Sequence, residues 1–194
     1  MLTCSNMKKP MSEELQIPSG AKVSYNGETF LVSKSGVELK RKIDVPSIKI
    51  EVKGDKILLS TDKGNKNEFK YIKSTIAHLK NLFKGLDQKF VYKLEACNVH
   101  FPMTLKLDSG NLVITNFLGE KVPRKAKILS HVDVDLKGAK ITVSSHDFEA
   151  AGETATNIEK ATKIKNRDRR IFQDGIFIVE KPVRGTVAQW VKDL

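Results

Sequence analysis

The sequence predicts an α+β protein of two tandem duplicated domains, each a twisted, mainly antiparallel sheet packed against one long helix. Three observations carry this. The first is an internal repeat: residues 48–60 align with 132–144 at an offset of 84, sharing Lys, Gly, Lys, Ile and Ser. Ile17-Pro18 matches Phe101-Pro102 at the same offset, Asn26-Gly27 and Gly36 match Ser109-Gly110 and Gly119, and Arg41-Lys42 matches Arg124-Lys125. Collinear matches of this kind mark a duplicated unit. The second is short alternating segments punctuated by turn dipeptides, and the third is one helical apolar stripe in each half.

In chain order, residues 22–25 and 28–32 are strands flanking Asn26-Gly27, a dipeptide suited to a type I′ hairpin turn. Residues 48–52 and 56–59 flank Lys53-Gly54-Asp55, a second hairpin. Phe69, Ile72, Ile76, Leu79 and Phe83 then follow at alternating spacings of three and four, one face of a helix with Gly85 placed as its C-terminal cap. Residues 88–98 join the halves and contribute a strand. The second half repeats the order, with strands at 104–107, 112–115, 132–136 and 140–143. Its helix presents Phe148, Ala151, Ala155 and Ile158, with Asp147 or Ser145 as N-cap. An alternating strand buries only one face, so each sheet needs its helix as cover. The expected organisation is an N-terminal extension (1–14), an N-terminal domain (15–97), a C-terminal domain repeating it (98–181) and a tail (182–194). Val187, Trp190, Val191 and Leu194 give that tail the spacing of a short amphipathic helix.

The 194 residues carry 34 Lys+Arg against 23 Asp+Glu, a net charge of +11. That excess favours a polyanionic partner, nucleic acid ahead of membrane, since no basic amphipathic helix stands out. No stretch has the apolar length of a membrane span. Cys4 and Cys97 make a poor disulfide framework, no Asn-x-Ser/Thr sequon occurs, and the N-terminus lacks an apolar leader. A reducing intracellular compartment is expected.

Catalysis has no motif. G-x-x-x-x-G-K-[ST], G-x-G-x-x-G, G-x-S-x-G and H-E-x-x-H are all missing from the sequence. Cys97 and His100 have a ligand-like spacing, but a zinc site needs about four ligands and no second pair exists. Asp133 and Asp135 alternate with Val132, Val134 and Leu136, the pattern of solvent-facing strand positions rather than of paired catalytic carboxylates. Neither an enzyme nor a cofactor is expected.

The cations cluster instead. Lys121, Arg124, Lys125 and Lys127 fall in one seven-residue run without an acid. Lys163, Lys165, Arg167, Arg169 and Arg170 follow the second helix, with Asp168 the only carboxylate among them. Lys80 and Lys160, at helix ends, are explained by compensation of the helix dipole. Aromatics are 7% and do not interleave with the cations, so phosphate contacts to a structured RNA fit better than base stacking on a sheet. The nine candidate RNA-binding residues are therefore Lys121, Arg124, Lys125, Lys127, Lys163, Lys165, Arg167, Arg169 and Arg170.

Four segments are more specific. They are Asn81-Leu82-Phe83-Lys84-Gly85-Leu86, His100-Phe101-Pro102-Met103, Asn116-Phe117-Leu118-Gly119-Glu120-Lys121, and the run from Lys165 through Arg167-Asp168-Arg169-Arg170 to Asp174-Gly175-Ile176-Phe177. Together they resemble the large-subunit ribosomal protein six family in its archaeal and eukaryotic branch, called protein nine in eukaryotes, over roughly residues 15–181. The resemblance implies two duplicated α+β domains, no catalysis, and large-subunit rRNA as partner on the cytoplasmic ribosome. It implies main contacts by the C-terminal domain close to the sarcin–ricin loop. The N-terminal domain would lie toward the base of the factor-recruiting stalk, beside neighbouring large-subunit proteins. By position, the loop 165–172 and the hairpin 116–121 face rRNA, with Gly119, Asp174 and Gly175 positioning them and Asp174-Gly175 acting as a turn. Three departures stand out: the family's V-x-G-P-x-G turn is Val32-Ser33-Lys34-Ser35-Gly36, its Tyr is Phe177, and beyond Lys181 only Gly185-Thr186-Val187 faintly resembles a family ending. The alternatives are a basic protein–protein interaction module, an RNA-associated assembly factor, or an RNA-modifying enzyme with a non-obvious site.

Overall fold

The structure, a computed structural model, describes residues 9–43, 45, 48–168 and 170–182, and the chain divides into two compact units between Gln88 and Lys89. The first unit runs β1 (Lys9–Gln16), β2 (Lys22–Tyr25), β3 (Thr29–Lys34), β4 (Val37–Lys42), β5 (Lys49–Lys53), β6 (Lys56–Gly64) and α1 (Lys66–Asp87). Its strands form two antiparallel three-stranded sheets, β1-β6-β5 and β2-β3-β4. The second unit runs β7 (Phe90–Cys97), β8 (Thr104–Asp108), β9 (Asn111–Thr115), a 3-10 turn at Phe117–Gly119, β10 (Arg124–Lys127), β11 (Asp133–Lys137), β12 (Lys140–Ser145), α2 (Phe148–Ala161) and β13 (Gly175–Glu180). Here the sheets are β8-β9-β10 and β11-β12-β7-β13, again antiparallel.

The duplication holds strand for strand. β1 to β6 and α1 recur as β7 to β12 and α2, and β13 is an addition to the second sheet. The register confirms the 84-residue offset, since Val52 pairs with Ile57 as Leu136 does with Ile141. Two expected boundaries are corrected. Residues 90–97 belong to the second unit, where β7 pairs with both β12 and β13, so this strand is not part of a first domain ending at 97. Likewise β1, most of which falls in the expected 1–14 extension, pairs along β6 and begins the first repeat. Each repeat thus opens with a strand whose sequence has diverged, leaving only the alternation of buried and exposed residues. The tail 187–194, which the sequence reads equally as a short amphipathic helix or a loosely ordered end, lies outside the described residues.

In the first unit, Ile72, Ile76, Leu79, Leu82, Phe83 and Leu86 of α1 bury against Phe30, Val32, Ile57 and Leu59. Asn65 and Glu68 form a reciprocal capping box at its start. Phe69 is exposed rather than part of the core. Gly85 is not the cap: it lies within the helix, which continues to Asp87 because Leu86 is still buried, and Gln88 in extended geometry ends it. In the second unit, Ala151, Ala155 and Ile158 pack against Leu94, Leu112, Ile114, Phe117, Ile141, Val143 and Ile176. Asp147 caps α2, accepting from the Glu149 N–H, while Ser145 accepts from the Asp147 N–H.

Turn geometry differs in detail from expectation. At the β2–β3 hairpin only Gly27 has positive φ, and the Asn26 N–H donates to Thr29, so the turn centres on Gly27-Glu28 with glycine first, as in type II′. Positive φ at both central residues, the type I′ requirement, occurs at Ser35-Gly36 and Ser109-Gly110.

Candidate nucleic-acid interface

In the first unit, Ser35-Gly36 joins β3 directly to β4; in the second, residues 116–123 intervene between β9 and β10. This longer connection reverses through left-handed Asn116 and Leu118, and the Asn116 amide donates to the Pro102 carbonyl. Gly119, at φ +76°, ends the 3-10 turn beside the Phe101 ring. That conformation suits glycine, as the positioning role requires.

β10 then sorts the expected cations by alternation. Lys125 and Lys127 point outward, while Ala126 is buried and Arg124 faces in. Arg124 donates to both Glu120 oxygens at 2.8 and 2.6 Å and to the Ala161 and Lys163 carbonyls at 2.9 and 3.3 Å. Its guanidinium also lies 4.3 Å from the Phe117 ring centre. These bonds satisfy carbonyls at the end of α2 that the helix leaves orphaned. The Glu120 carboxyl is held below its usual range chiefly by the Arg124 hydrogen bond, against partial burial and helped by the charges of Arg124 and Arg167. Arg124 is thus engaged within the protein and positions its neighbours.

Beside it, a groove of about 380 Å³ is lined by Arg124, Lys125, Lys160, Ala161, Lys163 and Lys165. Among the described residues, none of its four lysines has a carboxylate within ion-pairing distance. Lys160, which the sequence assigns to the helix dipole, joins this groove. The sequence shows Lys160 beside Lys163 and Lys165 in one basic run but hides the approach of Arg124 and Lys125, which come from a strand more than thirty residues away. Lys121 and Lys127 are exposed but do not line the groove.

The loop after α2 leaves through Thr162, whose hydroxyl donates to Glu159 and accepts from the Ile176 N–H at 2.9 Å. Asn166 turns it at φ +58°. Asp168 accepts from the N–H groups of Arg170, Ile171 and Phe172, so it shapes the loop. Lys165, Arg167 and Arg170 are exposed, and Arg167 sits 4.8 Å from the Phe172 ring centre. Arg169 lies outside the described residues.

The loop is tied down at its far end by Asp174, which is 1% exposed. One carboxylate oxygen accepts from the Val99 and His100 N–H groups at 2.7 and 2.9 Å; the other meets His100 Nδ1 at 2.5 Å. Burial opposes its ionisation, but hydrogen bonds from His100 and Val99 and the His100 charge prevail and lower its pKa to about 2. His100 also stacks on Phe172 at 5.1 Å. Sequence reasoning missed His100 as a positioning residue, although it sits in the quoted His100-Phe101-Pro102-Met103 segment. Asp174-Gly175 is no turn: Gly175 opens β13, and a Cβ there would lie 3.1 Å from the Phe177 ring.

Among the described residues no cluster of His, Cys, Asp or Glu could hold a metal, and no helix is long and apolar enough to cross a membrane. The second unit displays lysines and arginines on a framework of sheets and one helix, which defines a basic, charge-displaying protein. The family model described as Ribosomal protein L6 matches residues 101–175. The chain is 41% identical over 169 residues to large ribosomal subunit protein uL6 of Methanococcus vannielii, covering 87% of this chain and 93% of that protein. To uL6 of Methanosarcina mazei it is 41% identical over 175 residues (90% and 99%), and to uL6 of Haloarcula marismortui 36% over 172 (89% and 97%). The chain belongs to the ribosomal protein L6 family, a family of structural, non-enzymatic constituents of the large ribosomal subunit.

Proposed function

We propose that this protein is held on the cytoplasmic large ribosomal subunit by rRNA backbone contacts of its second unit. The observation that carries this is the groove, where Lys125, Lys160, Lys163 and Lys165 converge without a neutralising acid among the described residues. Like charges gathered this closely repel, and phosphate oxygens relieve the repulsion while releasing counterions. Arg167 and Arg170 extend the cationic surface along the loop, and their planar guanidiniums suit bidentate phosphate contact. Lys121 and Lys127 flank it, and Arg169 belongs to the same run. Arg124, Gly119, Asp174 and Gly175 serve by holding these elements in place. From the family resemblance, the docking region is expected near the sarcin–ricin loop and the stalk base.

Val122 is 78% exposed and Ile171 62%, so apolar side chains border the charged loop. These supply a contact for a neighbouring large-subunit protein.

Replacing Lys125, Lys163 and Lys165 by Gln together tests the reading. Binding to large-subunit rRNA should weaken, and the slope of log affinity against log salt should fall by about 2–3. Unchanged affinity and slope would remove the groove from the interface.

A further inference from the structure

We propose that the outward face of α1 is a second RNA-binding surface, which takes the phosphate backbone of double-helical RNA. It rests on the reading of the chain as an rRNA-bound constituent, but on a different unit and different residues.

Lys66, Lys70, Lys73, Lys80 and Lys84 follow one another along the helix at spacings of four, three, seven and four, with Ala77 filling the gap. At about 100° per residue, these six positions fall within an arc of about 80°. The buried set of Ile72, Thr75, Ile76, Leu79, Leu82, Phe83, Gly85 and Leu86 occupies the other side. At about 1.5 Å per residue, the stripe from Lys66 to Lys84 is about 27 Å long.

The helix carries almost no compensating charge. Glu68 is committed to the capping box and Asp87 pairs with Lys34 at 2.7 Å. Lys73 pairs with Glu13 at 2.6 Å and lies 5.4 Å from the Phe69 ring centre. Among the described residues, Lys66, Lys70, Lys80 and Lys84 have no carboxylate within ion-pairing distance. Lys66–Lys70 and Lys80–Lys84 are like-charge pairs one turn apart, an arrangement that destabilises an isolated helix. Dipole compensation accounts only for the last turn, where Lys84 lies. Lys66 stands in the first turn, where a cation opposes the dipole. A polyanion laid along the stripe relieves both penalties.

The straightness of the stripe selects the occupant. Five lysines along one helical stripe, with a single gap at Ala77, suit a stiff, regularly charged backbone. Base recognition in an unpaired strand calls for aromatic platforms; the exposed Tyr71 lies off the stripe, and Phe69 at its edge is engaged by Lys73. The sister helix makes the contrast: the exposed positions of α2 include Glu149 and Glu153.

The test uses the full chain, large-subunit rRNA and a short blunt RNA duplex as probes. A variant with Lys66, Lys70, Lys80 and Lys84 changed to Gln keeps nearly the same helix propensity, and circular dichroism checks its helix content. It should lose affinity for both probes and reduce the salt slope by about 2–3, additively with the groove variant. The corresponding Lys→Arg variant should bind like the parent. If the Gln variant binds rRNA and duplex as the parent does while the groove variant is weakened, this inference falls and the proposed function stands. If the parent itself shows no salt-dependent RNA binding, both fall. If the Gln variant loses retention on polyglutamate but not RNA binding, the stripe serves an acidic protein and the inference is overturned.

Discussion

The two units share a strand order and both pair sheet lysines with acids, Lys93 with Glu180 in the second, yet they leave different cations uncompensated. In the first, sheet lysines are met by acids: Lys42 by Glu28, Lys49 by Asp62, Lys53 by Glu51 and Lys56 by Glu14. In the second, Lys125 occupies the register position of Lys40, opposite Val113 as Lys40 is opposite Leu31, and it opens onto a groove that no carboxylate lines among the described residues. The hairpin loop shows the same divergence, from two residues at Ser35-Gly36 to the segment 116–123 that carries Gly119 and Glu120. Duplication conserved what the core needs and left connections and outward positions free to specialise.

Several measurements can break or sharpen that contrast. If the two cores are equivalent, Phe30→Ala and Phe117→Ala, each removing a fully buried ring, should both cost about 3–5 kcal/mol in denaturant unfolding. A cost near zero at either would separate the cores. Asp174 has no counterpart role in the first unit. Asp174→Ala leaves the Val99 and His100 donors without their acceptor, and unfolding should show a loss of about 2–4 kcal/mol.

The pH dependence isolates the same group. Folding lowers the Asp174 pKa from 3.8 to about 2, so its contribution is complete above pH 4 and fades as pH falls toward 2. The part lost amounts to about 2 kcal/mol. Unfolding curves above and below that window should show the loss in the parent and not in Asp174→Asn; equal slopes in both would discredit the assignment. Gly119→Ala has room for its Cβ, which lies 3.8 Å from the Phe101 ring, and should cost only the positive φ, about 1 kcal/mol. The smallest effect concerns the paired positions. Lys125→Gln should weaken rRNA binding severalfold and lower the salt slope by about 0.9, whereas Lys40→Gln should do neither.

Much of the fold was legible because hairpins and helices are local. The β5–β6 and β11–β12 repeats and both apolar stripes were visible as periodicities, apart from Phe69 and Gly85 at the ends of α1. β1 and β7 were missed as matching first strands, because what they share is alternation and a partner about forty to fifty-five residues away along the chain, not identity. β10 was hidden by its charge. A strand of Arg124, Lys125, Ala126 and Lys127 resembles a cationic loop until β9 is seen pairing with it.

Composition and local order determined that this protein would be basic, duplicated, α+β and without a catalytic motif, since each follows from side-chain chemistry or near-neighbour spacing. Only tertiary structure decided which cations are available. It turned Arg124 inward onto Glu120 and the end of α2, drew Lys160 into the groove with Lys125, and anchored the loop through Asp174 to His100. The reason is physical: a charge can be neutralised by any carboxylate or carbonyl within a few ångströms, and folding sets those distances between residues far apart in the chain.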